Sequence, residues 1–333
     1  MARTKLTLGG LLTACLVLFL SVLSSEQTLL SVPPPTAQTA NQIGVYLTSF
    51  ALTKADVLRG ILEARRSGKL NTLVINVKNM HGEITYDSAV PLARQIGAST
   101  GRLDFREILP ILRAEGFYLI ARQVVFFDPY LARHLGYPKD WVPAHSPEAV
   151  AYNLAIAEEV ADLGFDEIQF DYIRYEDAGD LVSVYADRYA AISAFLEQAS
   201  QRLAGRVALS ADLFGRVLWP WNERRIDPIG QSLEDISTHV SFVSPMVYPS
   251  HYAEDTYRND PYAVVRDALS AGKQRIDTPI RPFLQAFDMA LPSGMSLETY
   301  IAEQIRAADE MNADGYLFWH PACEYETLYR VLR

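Results

Sequence analysis

Hydrophobic and polar positions after residue 42 fall into short β-branched or aromatic runs that alternate with longer stretches of helical period. The short runs predict eight strands, at 43–50, 72–78, 117–126, 166–172, 206–214, 240–248, 280–287 and 314–320. The longer stretches predict eight helices, at 53–67, 104–115, 147–163, 181–204, 232–239, 257–272, 296–312 and 324–332. This alternation predicts an α/β fold, a (β/α)₈ TIM barrel in a single domain.

A doubly wound open sheet is the main alternative architecture. Such a sheet usually has fewer strands, and a glycine-rich phosphate-binding turn follows its first strand. Here the first strand leads into YLTSFAL, which contains no glycine. The barrel is therefore favoured, and its functional site is expected at the carboxyl ends of the strands.

The amino-terminal segment predicts export. Arg3 and Lys5 precede an apolar run, and small residues follow it, as in a signal peptide or an uncleaved membrane anchor over residues 1–25. In the anchored case residues 6–23 would lie in the membrane. Lipidation at Cys15 is disfavoured because most of the apolar run follows that cysteine.

A linker and one folded domain follow the export segment. Residues 26–42 are rich in Pro, Thr, Ala and Gln and are typical of a linker, so the barrel domain is expected to span 43–333. We expect an exported protein, periplasmic or extracellular, whose contact with a membrane is limited to the amino-terminal segment. The sequence does not indicate an oligomeric state.

Charge and residue usage narrow the classes of ligand. The formal net charge is −10 and no Lys- or Arg-rich stripe occurs, which argues against nucleic-acid binding. An acidic chain with 18 Tyr, 14 Phe and 4 Trp suits a neutral or basic ligand such as a sugar. The two cysteines and six dispersed histidines form no metal motif, and no GxSxG elbow occurs. No metal or other cofactor is predicted.

The segment FDEIQFDYIRY, at 165–175, carries acidic side chains in a strand that otherwise resembles a buried one. Burial of a carboxylate costs several kcal/mol unless it is paired or hydrogen-bonded. Because side chains alternate along a strand, Glu167, Gln169 and Asp171 share one face, which would line the barrel lumen. Asp171 would lie at the mouth and is the first catalytic candidate. The alternative is an internal ion pair, with Arg122, Lys78 or Arg174 as the partner.

The fifth predicted strand supplies a second carboxylate. The same alternation turns Asp212 inward at the mouth, and neighbouring strands lie about 4.8 Å apart. Two carboxylates are the minimum apparatus for glycoside hydrolysis, one as acid and one as nucleophile or base. Asp171 is the expected nucleophile or base and Asp212 the expected acid, because burial or a like charge raises one pKa. Glu83 and Asp288 are reserve candidates for the acid.

Polar and aromatic side chains at the other strand ends are candidates for substrate binding. Those expected to shape the pocket are Tyr46, Lys78, Arg122, Arg174, Tyr248, His251, Gln285 and Trp319. The aromatic members would stack on sugar rings, although each could equally well close the core of the barrel.

Five segments, in order, resemble one protein family. INVKNMHGEITYDS, ARQVVFFDP, GFDEIQFDYIRY, SADLFG and VSPMVYPSHY are similar to the putative glycosyl hydrolase domain family of the glycosidase TIM-barrel group. The resemblance spans Ile43 to about Tyr325. It implies a glycosidase-like barrel in which Asp171 corresponds to the acidic residue of the fourth strand. The segment is also similar to the DxxDxDxE signature of family 18 chitinases, but Ile173 stands where their acid would be.

Three functions are therefore considered. The favoured one is a glycoside hydrolase that acts on a polysaccharide or a cell-envelope glycan. The second is a non-catalytic carbohydrate-binding or envelope-assembly barrel whose acidic strand is structural. The third is a different hydrolase on the same scaffold, such as a metal-dependent deacetylase.

Overall fold

The computed structural model describes residues 41–332. Its strands are β1 (Gln42–Leu47), β2 (Thr72–Lys78), β3 (Ile84–Tyr86), β4 (Ser99–Leu103), β5 (Tyr118–Val124), β6 (Glu167–Asp171), β7 (Ala208–Phe214), β8 (Phe242–Met246), β9 (Phe283–Gln285) and β10 (Gly315–Trp319). The export segment predicted at 1–25, and the predicted linker as far as residue 40, lie outside the described residues. None of the helices within 41–332 is long and apolar enough to cross a membrane.

Eight parallel strands close into a barrel. The order is β1, β2, β5, β6, β7, β8, β9 and β10, and β1 pairs with both β2 and β10. The predicted TIM barrel is therefore confirmed, and each of the eight predicted strands overlaps an observed one. β2 has the predicted bounds, and the other seven barrel strands are shorter than predicted.

Helices cover the outside of the barrel. Those of the described region are α1 (Ala55–Arg66), α2 (Pro91–Gln95), α3 (Phe105–Ala114), α4 (Pro129–Leu135), α5 (Pro147–Leu163), α6 (Ala186–Leu203), α7 (Leu233–Ser237), α8 (Asp255–Arg258), α9 (Pro261–Lys273), α10 (Leu297–Glu310) and α11 (Glu326–Val331). Ser146 and Ser296 cap α5 and α10 through their side chains, as such residues do at helix starts.

The structure differs from the predicted elements at three places. The loop after β2 contains β3 and β4, which pair with each other and extend the sheet beyond the barrel. The predicted helix 181–204 begins only at Ala186, so the loop after β6 is longer than expected. The predicted helix 257–272 is interrupted at Asp260, whose side chain caps a new helix that has Pro261 in its first turn.

Each inward polar side chain of β6 has a partner inside the barrel. Glu167 pairs with Arg281 at 2.5 Å, and both side chains are fully buried. Gln169 donates a hydrogen bond from Nε2 to the Ser244 hydroxyl at 3.1 Å. The third, Asp171, pairs with Arg122. The strand tolerates its acidic residues because arginines from neighbouring parts of the barrel compensate their charge.

Candidate active site

A cleft of about 720 Å³ opens at the carboxyl ends of the barrel strands. Loops after β6, β7 and β8 form most of its wall. Seven of the ten predicted site residues line it, namely Arg122, Asp171, Arg174, Asp212, Tyr248, His251 and Trp319. The structure therefore gathers both candidate carboxylates in one open cavity at the mouth of the barrel.

Asp171 ends β6 and forms an ion pair with Arg122. Its Oδ2 accepts a hydrogen bond from Arg122 Nε at 2.9 Å and another from a terminal guanidinium nitrogen. Its Oδ1 accepts from the backbone N–H of Tyr172 at 2.6 Å. Tyr172 has a φ of 52°, a left-handed conformation that costs a non-glycine residue about 1–3 kcal/mol. The turn that orients Asp171 therefore stores backbone strain, a feature that clusters at functional sites.

Arg122 is held in place from its other side. Its terminal nitrogen donates to Asn76 Oδ1 at 2.7 Å, and Asn76 donates to the Tyr46 hydroxyl at 2.6 Å. Tyr46 stacks on Trp319 with ring centroids 3.9 Å apart, and the guanidinium lies 5.3 Å from both rings. Tyr46 consequently supports the cleft from behind, whereas Trp319 forms part of its wall.

Asp212 is the second carboxyl group and lies in β7. The residue before it, Ala211, pairs with Phe170, the residue before Asp171 in β6. It is 2 % exposed, and its Oδ1 has no hydrogen-bond partner among residues 41–332. Burial raises the pKa of Asp212 well above its ordinary value, and the negative charge of Asp171 raises it further, while Arg122 opposes the shift. The surroundings of Asp212 therefore favour its protonated form.

The two carboxyl groups share one neighbour. Arg122 Nε lies 2.9 Å from Asp171 Oδ2 and 3.8 Å from Asp212 Oδ2, so these two oxygens cannot be further apart than the sum of the two distances. Retaining glycosidases have carboxyl separations of about 5–5.5 Å and inverting ones of about 6.5–9.5 Å. This upper bound excludes the longer inverting separations for these two oxygens.

Tyr248 and His251 form another side of the cleft. Burial raises the pKa of Tyr248, and the nearby carboxyl groups of Asp212 and Asp171 raise it further, so its hydroxyl stays neutral. Burial lowers the pKa of His251, whose Nδ1 lies 2.9 Å from the Ser250 hydroxyl. Both side chains are neutral hydrogen-bonding groups near neutral pH.

Gln285 does not line the cleft but fixes the turn that carries His251. Its Oε1 accepts hydrogen bonds from the Ser250 N–H at 3.2 Å and from the Tyr300 hydroxyl at 3.1 Å. The side chain is fully buried. Gln285 therefore lies behind the cleft wall, whereas the sequence analysis predicted that it would line the pocket.

Lys78 also lies outside the cleft, against the expectation from alternation. Its Nζ is fully buried, 2.7 Å from Asp128 and 3.0 Å from Asn153 Oδ1. The ladder between β2 and β5 shifts register between Asn76 and Lys78, so Lys78 pairs with Gln123 and leaves the lumen. Burial lowers the pKa of Lys78, and Asp128 opposes the shift.

The reserve acids lie elsewhere as well. Glu83 pairs with Arg102 at 3.4 Å and accepts a hydrogen bond from Asn79. Asp288 is exposed, and neither carboxylate lines the cleft.

Thirteen cleft residues were missed: ten lie in segments between strands, and three belong to β7, β8 or β9. These are Tyr172, Asp177, Leu181, Phe214, Gly215, Arg216, Trp219, Trp221, Met246, Tyr252, Ala253, Glu254 and Phe283. The two tryptophans follow the fifth predicted strand closely in WPW, and that proximity could have identified them. Within residues 41–332 no three His, Cys, Asp or Glu side chains are grouped to hold a metal ion.

Solved structures with the same fold include a glycoside hydrolase domain, a mannanase and a spore cortex-lytic enzyme. The glycoside hydrolase domain of PgaB (BpsB) from Bordetella bronchiseptica is 16% identical, with a TM-score of 0.60, and the match covers 88% of this chain and 98% of that chain. The endo-1,4-beta-mannanase from Rhizomucor miehei is 12% identical, with a TM-score of 0.63 and coverages of 92% and 95%. The spore cortex-lytic enzyme SleL of Bacillus cereus is 13% identical, with a TM-score of 0.57 and coverages of 95% and 83%.

Identities this low establish the fold alone. No curated protein sequence matches the chain. The sequence does match one family over residues 44–325, which includes every strand of the barrel except the first two residues of β1. The chain belongs to the family described as "Putative glycosyl hydrolase domain".

Proposed function

We propose that this protein is a glycoside hydrolase that cleaves a polysaccharide or a cell-envelope glycan with Asp171 and Asp212. The observation that carries the proposal is the pair itself. Asp171 forms an ion pair with Arg122, and Asp212 is buried with a raised pKa. A buried carboxyl group with a raised pKa beside an ion-paired carboxylate fits an acid and a nucleophile or base.

In the proposed reaction Asp212 donates its proton to the glycosidic oxygen as the bond to the leaving sugar breaks. Asp171 attacks the anomeric carbon, or removes a proton from a water molecule that attacks it. Negative charge therefore disappears at Asp171 and appears at Asp212. Arg122 contacts both groups, so one cation stabilises the charge before and after proton transfer.

The aromatic lining supports a sugar ligand. Trp219, Trp221 and Trp319 lie around the cleft, and sugar rings pack well against such faces. The exported location, with or without the membrane anchor at 6–23, is part of the proposal and rests on the amino-terminal sequence pattern.

The test is hydrolysis of a panel of polysaccharides and envelope glycans by the wild type and by Asp171→Asn and Asp212→Asn. We expect each substitution to lower kcat/KM by about 10²–10⁴-fold, the usual contribution of acid and base catalysis. Asp288→Asn, an exposed carboxylate outside the cleft, is the matched control and should retain full activity. Hydrolysis that survives both cleft substitutions unchanged would refute the assignment.

A non-catalytic carbohydrate-binding barrel is the second candidate, and the Arg122–Asp171 ion pair favours it. A buried pair of this kind can be purely structural. Loss of one partner then costs about 3–5 kcal/mol of stability. Strong destabilisation by Asp171→Asn, together with glycan binding and no cleavage of any glycan, would support this candidate against hydrolysis.

A further inference from the structure

Arg174 lies in the cleft, three residues after Asp171 on the loop that leaves β6. Three aromatic rings surround its guanidinium. The Cζ atom lies 4.6 Å from the ring centre of Trp141, 4.9 Å from that of Tyr172 and 4.5 Å from that of Phe214. These contacts hold the planar group in a fixed orientation next to the proposed nucleophile.

The other two arginines of the cleft have carboxylate partners. Arg122 pairs with Asp171, and Arg216 donates to Asp177 at 2.7 Å and 3.1 Å and also to Asp227 at 2.8 Å. In contrast, Arg174 forms no ion pair within residues 41–332. It donates one hydrogen bond, to the Tyr175 carbonyl at 3.0 Å.

An arginine without an ionic partner in this partly buried position lowers the free energy of unfolding. A guanidinium has five N–H donors, and partial burial removes much of the water that would otherwise accept from them. Burial lowers the pKa of Arg174, while Asp171, Tyr172 and Asp177 oppose the shift. The aromatic faces compensate part of this cost through cation–π attraction, but they accept no hydrogen bonds from the edge of the guanidinium group.

We propose that Arg174 binds a sugar carboxylate, and that the enzyme therefore prefers a glycan with an acidic sugar beside the cleaved bond. This inference rests on the proposed glycoside hydrolase function. The planar fork of arginine matches a carboxylate in two parallel hydrogen bonds. The acidic composition suggested a neutral or basic ligand, but Arg174 places a positive charge in the cleft that no carboxylate among residues 41–332 pairs with. Charges more than about 8 Å away are largely screened at physiological ionic strength.

Binding of monosaccharides tests the proposal without any need for hydrolysis. Glucuronic acid and its uncharged methyl ester are each titrated into the protein, and binding is followed by the change in tryptophan fluorescence. Trp141 is a suitable reporter because it contacts Arg174 directly. We expect the wild type to bind the acid about tenfold more tightly than the ester, as one charge-assisted contact allows. Arg174→Gln should abolish the difference, and Arg174→Lys should retain part of it, because the charge remains but the fork is lost.

Arg188→Gln is the matched control. Arg188 also lies over two tyrosine rings, 5.1 Å from Tyr175 and 4.6 Å from Tyr185, but it does not line the cleft. It should keep the full preference for the acid. The proposal is overturned if the wild type does not discriminate between acid and ester, or if a folded Arg174→Gln still does.

Should Arg174→Gln fail to fold, the wild-type comparison and Arg174→Lys decide instead. Equal preference in Arg174→Lys and wild type would show that the fork is not used and would overturn the bidentate contact. A result that overturns the role of Arg174 does not affect the hydrolysis test of Asp171 and Asp212. Conversely, selective binding of the acid without cleavage of any glycan would refute the proposed function and not this assignment.

Discussion

The raised pKa of Asp212 predicts a change in stability that can be measured without a substrate. Its carboxyl group is 2 % exposed and its Oδ1 lacks a hydrogen-bond partner among the described residues. Burial and the nearby Asp171 raise the pKa of this group above its value in the unfolded chain, which is about 3.9. Between those two pKa values the folded state binds a proton that the unfolded state has lost. Wild-type stability therefore falls as pH rises through this window.

Asp212→Asn removes this dependence, because an amide is neutral at every pH and has nearly the same shape. The free energy of unfolding of the variant, minus that of the wild type, should increase by about 1.4 kcal/mol for each pH unit within the window. Titration of other carboxylates affects both proteins alike and largely cancels in the difference. Above the folded pKa the difference should stop increasing, because Asp212 is then ionised in both states of the wild type.

Urea unfolding of both proteins from about pH 4 to pH 9 measures this difference. Asp288→Asn is the control, since an exposed carboxylate should give a difference that does not change with pH. A stability difference between Asp212→Asn and wild type that stays constant, or that decreases as pH rises, would refute the account of Asp212 as a protonated buried acid.

Three further predictions follow from the contacts around the cleft. Arg122→Met should lower the free energy of unfolding by about 3–5 kcal/mol in urea unfolding, because Asp171 would be left buried and unpaired; a loss below 1 kcal/mol would contradict this. Lys78→Met should be similarly destabilising, since Asp128 loses its partner, yet should leave KM unchanged in steady-state assays; a raised KM would place Lys78 at the substrate after all. Trp221→Ala should raise KM about 3- to 10-fold with little change in kcat, and an unaffected KM would show that this ring does not contact the glycan.

Alternation along the strands was enough to locate the centre of the site. Asp171 and Asp212 both face the lumen at the mouth, as the two-residue period predicted, and both line the cleft. The pattern works there because β6 and β7 stay in regular register over four residue pairs. Alternation gave the wrong position for Lys78, because a register shift in the β2–β5 ladder turns its side chain away from the lumen.

The rest of the cleft depends on loops whose paths have no simple period. Asp177 and Leu181 of the loop after β6 line the cleft, as do Arg216 and Trp219 of the turns after β7. Contacts between residues distant in sequence, such as the ion pairs of Arg216 with Asp177 and Asp227, set these paths. Residue types alone could suggest that such side chains bind a ligand but could not show which of them meet.

The short strands β3 and β4 have a consequence for self-association. A closed barrel has no free strand edge, but β4 stands at the end of the sheet order and offers one to other chains. It spans only five residues, with Gly101 at a φ of 59° and the charged Arg102 beside it. A brief strand that bends at a glycine and carries a cation is a poor template for another strand. The architecture thus keeps its single exposed sheet edge, within the described part of the chain, resistant to edge-to-edge aggregation.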